Sequence, residues 1–219
     1  MIDIKIAKTE EENHKIFKFR YDIYIKELNK EFLINSDQSK ALTDDLDKEA
    51  YNLYSVVDEK IVGCMRCTLQ NYDDRLSSKF GLKFISENIR YAQLDRFMLA
   101  NNLRGTKMAV NYFTYIYRFG LMNNVQIALI EVEEKLMRLY KAIGFTPYRE
   151  VDLQNNSKSK RIQMYFNLNN YLFLDQNNSL LKCEYLSHME VIENSFNNTS
   201  MLITSSRKEI ATNTEPALK

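Results

Sequence analysis

The turn at Leu103-Arg104-Gly105-Thr106-Lys107 has the residue types of an anion-binding site. It follows an apolar run over 92–99 that is typical of a buried strand, and it precedes a run over 106–122 with helical spacing. The first N–H groups of a helix lack intrahelical partners and lie at the positive end of the helix dipole. Glycine also lets a pyrophosphate approach the backbone closely, because it has no Cβ. The segment therefore predicts a phosphate cradle; a plain turn that enters a helix is the alternative.

A phenol lies near the end of the second predicted helix, which covers 133–143. The sequence there reads Leu139-Tyr140-Lys141-Ala142-Ile143-Gly144-Phe145, and Gly144 allows the chain to leave the helix for the next strand. A phenol has an unperturbed pKa of about 10, so at neutral pH it holds a proton that it can donate as a general acid. The alternative is an aromatic side chain packed in the core of a chain with 14 tyrosines.

Two arginines lie on strands that we predict to be buried. Arg66 is in the apolar run 61–69 and Arg96 is in the run 92–99. If buried, their guanidinium groups need carboxylate partners. Asp44 and Asp47 lie three residues apart on the preceding polar loop and can supply them. Such a network would fix the loop that covers the site, with a direct part in the chemistry as the alternative.

Strands and helices alternate along the chain, which predicts an α/β fold with a mixed sheet. We predict strands over 2–7, 53–57, 61–69, 92–99, 125–130, 146–151 and 161–168, and helices within 10–30 and over 106–122 and 133–143. A polar cover loop over 31–47 and a connection over 72–90 with room for one helix complete a domain of residues 1–168. Residues 169–219 form a predicted extension that is helical over 180–196 and then disordered.

Composition excludes several classes of protein. A net charge of +1 argues against a general nucleic-acid binder, and no apolar run approaches the roughly 20 residues of a membrane helix. The N-terminus lacks the apolar region of a secretory signal, and an odd number of cysteines, three, fits a reducing compartment such as the cytoplasm. Cys64 and Cys67, three apart on a strand, face opposite sides, so we predict packing and no metal site.

The order of these motifs resembles the acyl-CoA-binding half of the GNAT acyltransferases. Upstream motifs resemble those of the acyl-homoserine-lactone synthases, and the long-chain N-acyl amino acid synthases share the same plan. These motifs are Phe17-Lys18-Phe19-Arg20-Tyr21-Asp22-Ile23-Tyr24 for Phe-Arg-x-Arg-x-x-Val-Phe, the acidic pair Asp44 and Asp47, Gly63-Cys64-Met65-Arg66 for Gly-x-x-Arg, and Gln93-Leu94-Asp95-Arg96-Phe97 for Glu-Leu-Ser-Arg-Phe. The resemblance covers residues 15–166.

The resemblance implies a GNAT-like mixed β-sheet, splayed between 92–99 and 125–130 to admit a pantetheine arm and flanked by helices. It implies no permanently bound cofactor, only an acyl-phosphopantetheine cosubstrate carried by an acyl carrier protein or CoA. The implied cosubstrate contacts are Met98, Leu99, Arg104, Gly105, Thr106, Lys107, Met108 and Ala109. The implied acceptor or structural network comprises Arg20, Tyr24, Asp44, Asp47, Arg66 and Arg96.

The implied catalytic residues are Tyr140, Gln93 and Asp95. The lactone synthases have Glu where this chain has Gln93, and Gln does not ionise at neutral pH. A base would therefore be Asp95 or a water relayed by a backbone carbonyl. The change also weighs against S-adenosylmethionine as the acceptor.

Three functions remain open on the sequence. The first is an N-acyltransferase that moves a fatty acyl group to the amine of an amino acid or an S-adenosylmethionine-like acceptor. The second is an acetyl-CoA-dependent GNAT acetyltransferase, which Tyr140 favours. The third is a non-catalytic domain that binds acyl chains or a partner protein. Lys107 replaces the second small residue of the GNAT phosphate signature and favours the first.

Positive charge is concentrated around the predicted cosubstrate site. Residues 101–165 contain 10 Lys/Arg and 5 Asp/Glu, whereas residues 1–100 contain 16 and 18. A basic surface suits an acidic acyl carrier protein. Besides the turn at 104–107, the predicted docking residues are Lys135, Arg138 and Lys141 on the second helix and Lys158, Lys160 and Arg161 on the adjoining loop; a solvated helix face and polar loop are the alternative.

Overall fold

A computed structural model of the chain describes residues 2–29, 40–71, 74–82, 89–151 and 160–191. Within these residues one sheet has the strand order β1-β2-β3-β4-β5-β7-β6. The strands are β1 (Ile4–Ile6), β2 (Tyr51–Val57), β3 (Lys60–Asn71), β4 (Arg90–Leu99), β5 (Ile127–Glu133), β6 (Thr146–Val151) and β7 (Arg161–Asn167). Only the β4–β5 pair is parallel within this sheet, which confirms the predicted mixed sheet.

Helices flank the sheet. They are α1 (Glu10–Tyr21), which continues as a π-helical segment (Asp22–Glu27), α2 (Asp74–Phe80), α3 (Met108–Met122), α4 (Met137–Ile143) and α5 (Tyr171–Gln176), and residues 182–191 are also helical. A capping box starts α1, because the Glu12 N–H donates to Thr9 Oγ1 at 3.2 Å and the Thr9 N–H donates to the Glu12 carboxylate at 3.0 Å.

The parallel strands β4 and β5 separate after a short paired stretch. The ladder contains Tyr91–Ile127, Ala92–Ala128 and Gln93–Leu129, and it ends there. Leu94–Leu99 consequently has no ladder partner in β5, although it stays paired with β3 on its other edge. This wedge between β4 and β5 is the predicted splay.

A bulge in β4 gives the wedge two different faces. Cys64 pairs with Met98 and Arg66 with Asp95, so β4 has one residue more than β3 in this interval. Arg96 adopts a positive φ of 52° at the bulge. As a result Asp95 contacts the Arg66 guanidinium and Arg96 contacts the Asp44 carboxylate on the same face of the sheet, the charged face. The next residue, Phe97, packs against Tyr112 and Phe113 of α3 on the other, the apolar face.

The core is divided between the two faces of the sheet. The larger apolar cluster packs the sheet against α3 and α4, and it includes Leu174 of α5 and Leu181 beyond it. A smaller cluster lies under α1 and contains Cys64, whereas Cys67 belongs to the larger one. The two cysteines therefore lie on opposite faces, as predicted. Among the described residues no metal-binding cluster of side chains occurs, and no helix has both the length and the apolar character to cross a membrane.

The predicted bounds of α3, β5 and α4 are wrong. Helix α3 begins at Met108, not Thr106, because Gly105 has φ +76° and the Thr106 hydroxyl donates to the Leu103 carbonyl at 2.7 Å, which holds a turn. Strand β5 runs over Ile127–Glu133, not 125–130. Helix α4 therefore begins at Met137, not Glu133, after a 3-10 turn over Glu134–Leu136. The predictions for Lys158, for 192–196 and for 197–219 lie outside the described residues.

Candidate active site

Arg66 is the centre of a buried network of ion pairs on the charged face. Its side chain is 2% exposed, and its Nε and Nη2 donate to the two carboxylate oxygens of Asp95 at 2.6 and 2.9 Å. Its Nη1 also contacts Asp44 and lies 3.1 Å from Asp47 Oδ2. Three carboxylates thus surround one guanidinium, and contact with them raises the pKa of Arg66 despite burial, so the group stays charged.

Two further arginines extend this network. The fully buried Arg20 of α1 donates to Asp47 at 2.6 Å, and Arg96 donates to Asp44 at 2.9 Å. Burial alone would raise the pKa of Asp44, but hydrogen bonds from Arg66 and Arg96 lower it to about 2. The network therefore fastens the segment of Asp44 and Asp47 to α1, β3 and β4.

Short-range hydrogen bonds explain why this segment presents both carboxylates. Asp44 accepts from the Leu46 N–H at 3.0 Å, and Asp47 accepts from the Asp44 N–H at 3.0 Å, which caps the N-terminal end of a 3-10 turn over Asp45–Lys48. The spacing of three residues is the spacing of a capping box. One turn thus supplies both acidic partners of the arginines.

Gln93 and Tyr24 lie beside the ion pairs of the charged face. Gln93 donates to Asp95 at 3.0 Å, and the ring of Tyr24 lies under the Arg96 guanidinium at 5.5 Å. Burial raises the pKa of Tyr24, so its phenol is protonated. Asp95 already accepts three hydrogen bonds, two from Arg66 and one from Gln93, which orient its carboxylate.

Glu131 of β5 is a site residue that the sequence reasoning missed. Asp95 and Glu131 each lie two residues beyond the last β4–β5 pair, Gln93–Leu129, so they stand on the two walls of the wedge. Glu131 accepts from Gln163 at 3.2 Å and from Arg161 at 3.4 Å. The alternation of Glu131 and Glu133 with the buried Ile130 and Val132 was the signal for this longer strand.

The apolar face surrounds Tyr140 with aromatic rings. Tyr140 is 7% exposed and makes edge-to-face contacts with Phe113 at 5.6 Å and Phe145 at 5.9 Å between ring centroids. Burial raises the pKa of Tyr140, so its phenol holds its proton. The structure thus places the predicted acid among aromatic rings on the face opposite to Asp95.

The predicted phosphate turn differs from expectation at Arg104. Its guanidinium donates to the Leu99 carbonyl at 2.9 Å and makes a bidentate pair with Glu27, so its charge is already neutralised. Lys107, the N-cap of α3, is exposed, and no ion pair to it occurs in the described part of the chain. Gly105 and Thr106 are exposed as well, whereas Met98, Leu99, Met108 and Ala109 are buried. The N–H groups of Arg104, Thr106 and Met108 already donate within the turn, so the exposed Lys107 ammonium is the group of the turn that an anion can reach.

The predicted docking residues do not form one uniform surface. Lys135 precedes α4 and pairs with Glu133 at 2.7 Å, so the prediction that it lies on the helix is wrong. Lys160 lies 3.5 Å from Glu150, and Arg161 pairs with Glu131. Arg138 and Lys141 are exposed on α4 without an ion pair among the described residues.

Comparisons with known proteins agree with this architecture. The acyl-homoserine-lactone synthase BjaI, a CoA-dependent enzyme solved with SAM and isopentyl-CoA, has a TM-score of 0.63 at 15% identity over 82% of this chain and 90% of its own. FeeM, an N-acyl amino acid synthase from uncultured soil microbes, has a TM-score of 0.58 at 16% identity over 83% and 97%. Escherichia coli ElaA has a TM-score of 0.53 at 14% identity over 75% and 99%. These likenesses show a shared GNAT-like fold.

A match to a protein-family model identifies the family of this chain. Comparison with curated proteins finds no significant match. The family described as N-acyl amino acid synthase FeeM matches residues 15–165, which is more than half of the chain. The chain is therefore an acyltransferase that belongs to the FeeM family of N-acyl amino acid synthases.

Proposed function

We propose that this enzyme transfers a fatty acyl group from a phosphopantetheine thioester to the amine of an amino acid. The wedge between β4 and β5 carries this proposal, because it opens between an apolar face around Tyr140 and a charged face around Asp95. A hydrocarbon acyl chain is stabilised by burial against the apolar face, whereas a zwitterionic amino acid needs the polar partners of the charged face. A thioester in the wedge would meet both substrates.

The reaction uses groups on both faces. The neutral amine attacks the thioester carbon, and backbone N–H groups of Phe97–Leu99 on the unpaired edge of β4 stabilise the oxyanion. The carbon–sulfur bond then breaks, and the Tyr140 phenol gives its proton to the departing thiolate. The proton that the amine loses passes to Asp95 or Glu131, directly or through water. The products are an amide and a free thiol, and the proton that the carboxylate has taken up returns to the tyrosine through water.

The charges near the wedge favour an amino acid over a simple amine. Asp95 and Glu131 can attract an ammonium group, and Arg96 and Arg161 provide positive charge for a carboxylate. S-adenosylmethionine carries the same two groups and is the second candidate acceptor. An acetyl-CoA-dependent acetyltransferase is the second candidate function, which the position of Tyr140 favours.

We further propose that the acyl donor is an acidic acyl carrier protein that docks on α4. Arg138 and Lys141 of α4 are exposed cations without an ion pair to any residue that the structure describes, and such a donor needs no site for the adenosine phosphate of CoA. Charges at the rim of an interface mainly change the rate at which the two proteins associate. Salt screens their interaction, with a Debye length of about 8 Å at physiological ionic strength.

Replacing Arg138 and Lys141 together by Glu should raise KM for the acyl carrier protein about tenfold, corresponding to about 1.4 kcal/mol, and leave KM for acyl-CoA nearly unchanged. Steady-state kinetics with both donors at two salt concentrations measures this. Lys5→Glu with Lys60→Glu makes the same charge change on the distant strands β1 and β3 and serves as the control. Equal effects on both donors would refute the docking surface, and turnover of acetyl-CoA alone would favour the acetyltransferase.

A further inference from the structure

A narrow apolar cavity lies at the closed end of the wedge, on its apolar face. Small residues create the space: Ala92 and Ala128 pair across β4 and β5 immediately before the strands separate, and Gly120 of α3 lies above them. The cavity volume is about 20 Å³. The hydroxyl of Tyr117, which also lines it, already donates to the Leu168 carbonyl at 2.9 Å. A cavity with such walls favours an apolar occupant over water.

Two aromatic side chains border both the cavity and Tyr140. Phe113 and Phe145 line the cavity, and the same two rings contact Tyr140 edge to face. A thioester carbonyl near Tyr140 would therefore direct its hydrocarbon chain between these rings towards Ala92 and Ala128. The occupant that fits this position is the acyl chain of the donor.

Residues beyond the matched family region form part of the cavity wall. The family match ends at residue 165, whereas the cavity is bounded by Leu168 and by Leu181, which is 2% exposed. Ser179 anchors the segment of Leu181, because its hydroxyl donates to the Ile143 carbonyl and accepts the Leu181 N–H at 3.1 Å. Free space of about one water molecule admits little hydrocarbon, so a longer chain must displace this wall.

We propose that Leu181, together with Gly120 beside Leu168, sets the length of the acyl chain that the enzyme accepts. This inference rests on the proposed function, since the occupant is the acyl group of its donor. The side chain of Leu181 is the end wall. A β-carbon at Gly120 would lie 2.6 Å from Leu168 Cδ2, so a larger residue there would displace the Leu168 side chain, which lines the cavity.

Two substitutions should shift the chain-length preference in opposite directions. Leu181→Ala removes three carbon atoms from the wall and should move the optimum towards longer chains by about two carbons, with at least a fivefold gain for the longer donor relative to the shorter. Gly120→Ala should move the optimum towards shorter chains. The atom nearest to the added β-carbon is the end of the flexible Leu168 side chain, which can shift, and alanine has a higher helix propensity than glycine. The Gly120→Ala variant should therefore fold even if Leu181→Ala is unstable. Leu180→Ala changes the neighbouring leucine, which is 55% exposed, and is the matched control.

Both binding and turnover of the full chain should be measured with saturated acyl-CoAs from butanoyl to hexadecanoyl. Opposite shifts for Leu181→Ala and Gly120→Ala, with none for Leu180→Ala, would support the inference. Binding profiles of both folded variants that coincide with that of the parent enzyme would overturn it. Shifted binding without any acyl transfer would instead contradict the proposed function and leave the chain-length site standing.

Discussion

Replacing Arg66 by methionine should lower the free energy of unfolding by about 3–5 kcal/mol. The guanidinium is buried and contacts Asp44, Asp47 and Asp95. Methionine fills much of the volume but leaves the carboxylates without their shared counter-charge. Lysine should not restore stability, because its single ammonium cannot reproduce the bidentate contact with Asp95 and the contact with Asp44 at once.

Urea unfolding at neutral pH measures this loss. Arg118→Met is the matched control, since Arg118 also pairs with a carboxylate, Glu184 at 2.6 Å, but its side chain is 63% exposed. An exposed pair contributes roughly 0–1 kcal/mol, so the control should change stability little. If the two variants lose similar amounts, the buried network does not organise the charged face.

Tyr140→Phe should lower kcat by about 10²–10⁴-fold and leave KM for the donor nearly unchanged. The phenol would act only when the thiolate departs, so its loss affects the transition state and not donor binding. Burial raises the pKa of Tyr140, so kcat should not decline through ionisation of this residue below a pH of about 10. Phenylalanine keeps the ring contacts with Phe113 and Phe145.

Tyr112→Phe is the control for this variant. Tyr112 is another buried phenol beside the wedge, but its hydroxyl donates to Ser55 at 2.9 Å, away from the proposed reaction. The Tyr112→Phe variant should have a somewhat lower free energy of unfolding than the parent enzyme and the same kcat. An unchanged kcat for Tyr140→Phe, measured with a saturating donor, would make Tyr140 a packing residue and require another proton donor.

Residue chemistry made part of this site predictable. Arginines on two neighbouring buried strands require carboxylates, and Asp44 and Asp47 were close enough along the chain to be proposed as partners of Arg66 and Arg96. The strand–turn–helix pattern likewise indicated the exposed turn between β4 and α3. These features follow from the cost of burying a charge and from hydrophobic periodicity, both of which are local properties of the sequence.

Other features depend on contacts that no local pattern encodes. Glu27 lies 77 residues from Arg104, and only the packing of the π-helical segment against the phosphate turn brings them together. The bulge that turns Asp95 and Arg96 to the same face rests on a positive φ at an arginine, which propensities do not indicate. Glu131 was missed because the apolar run ends at Ile130, although the strand continues to Glu133.

Product analysis tests the central proposal most directly. The purified chain should be incubated with an acyl carrier protein that is loaded with a long-chain acyl group. Separate reactions contain either a mixture of amino acids or S-adenosylmethionine as the acceptor, and the products are analysed by mass spectrometry and thiol titration. We predict an N-acyl amino acid that forms in equal amount with the free carrier thiol. Thiol release without an acylated amine, or consumption of acetyl-CoA but of no long-chain donor, would contradict the proposal.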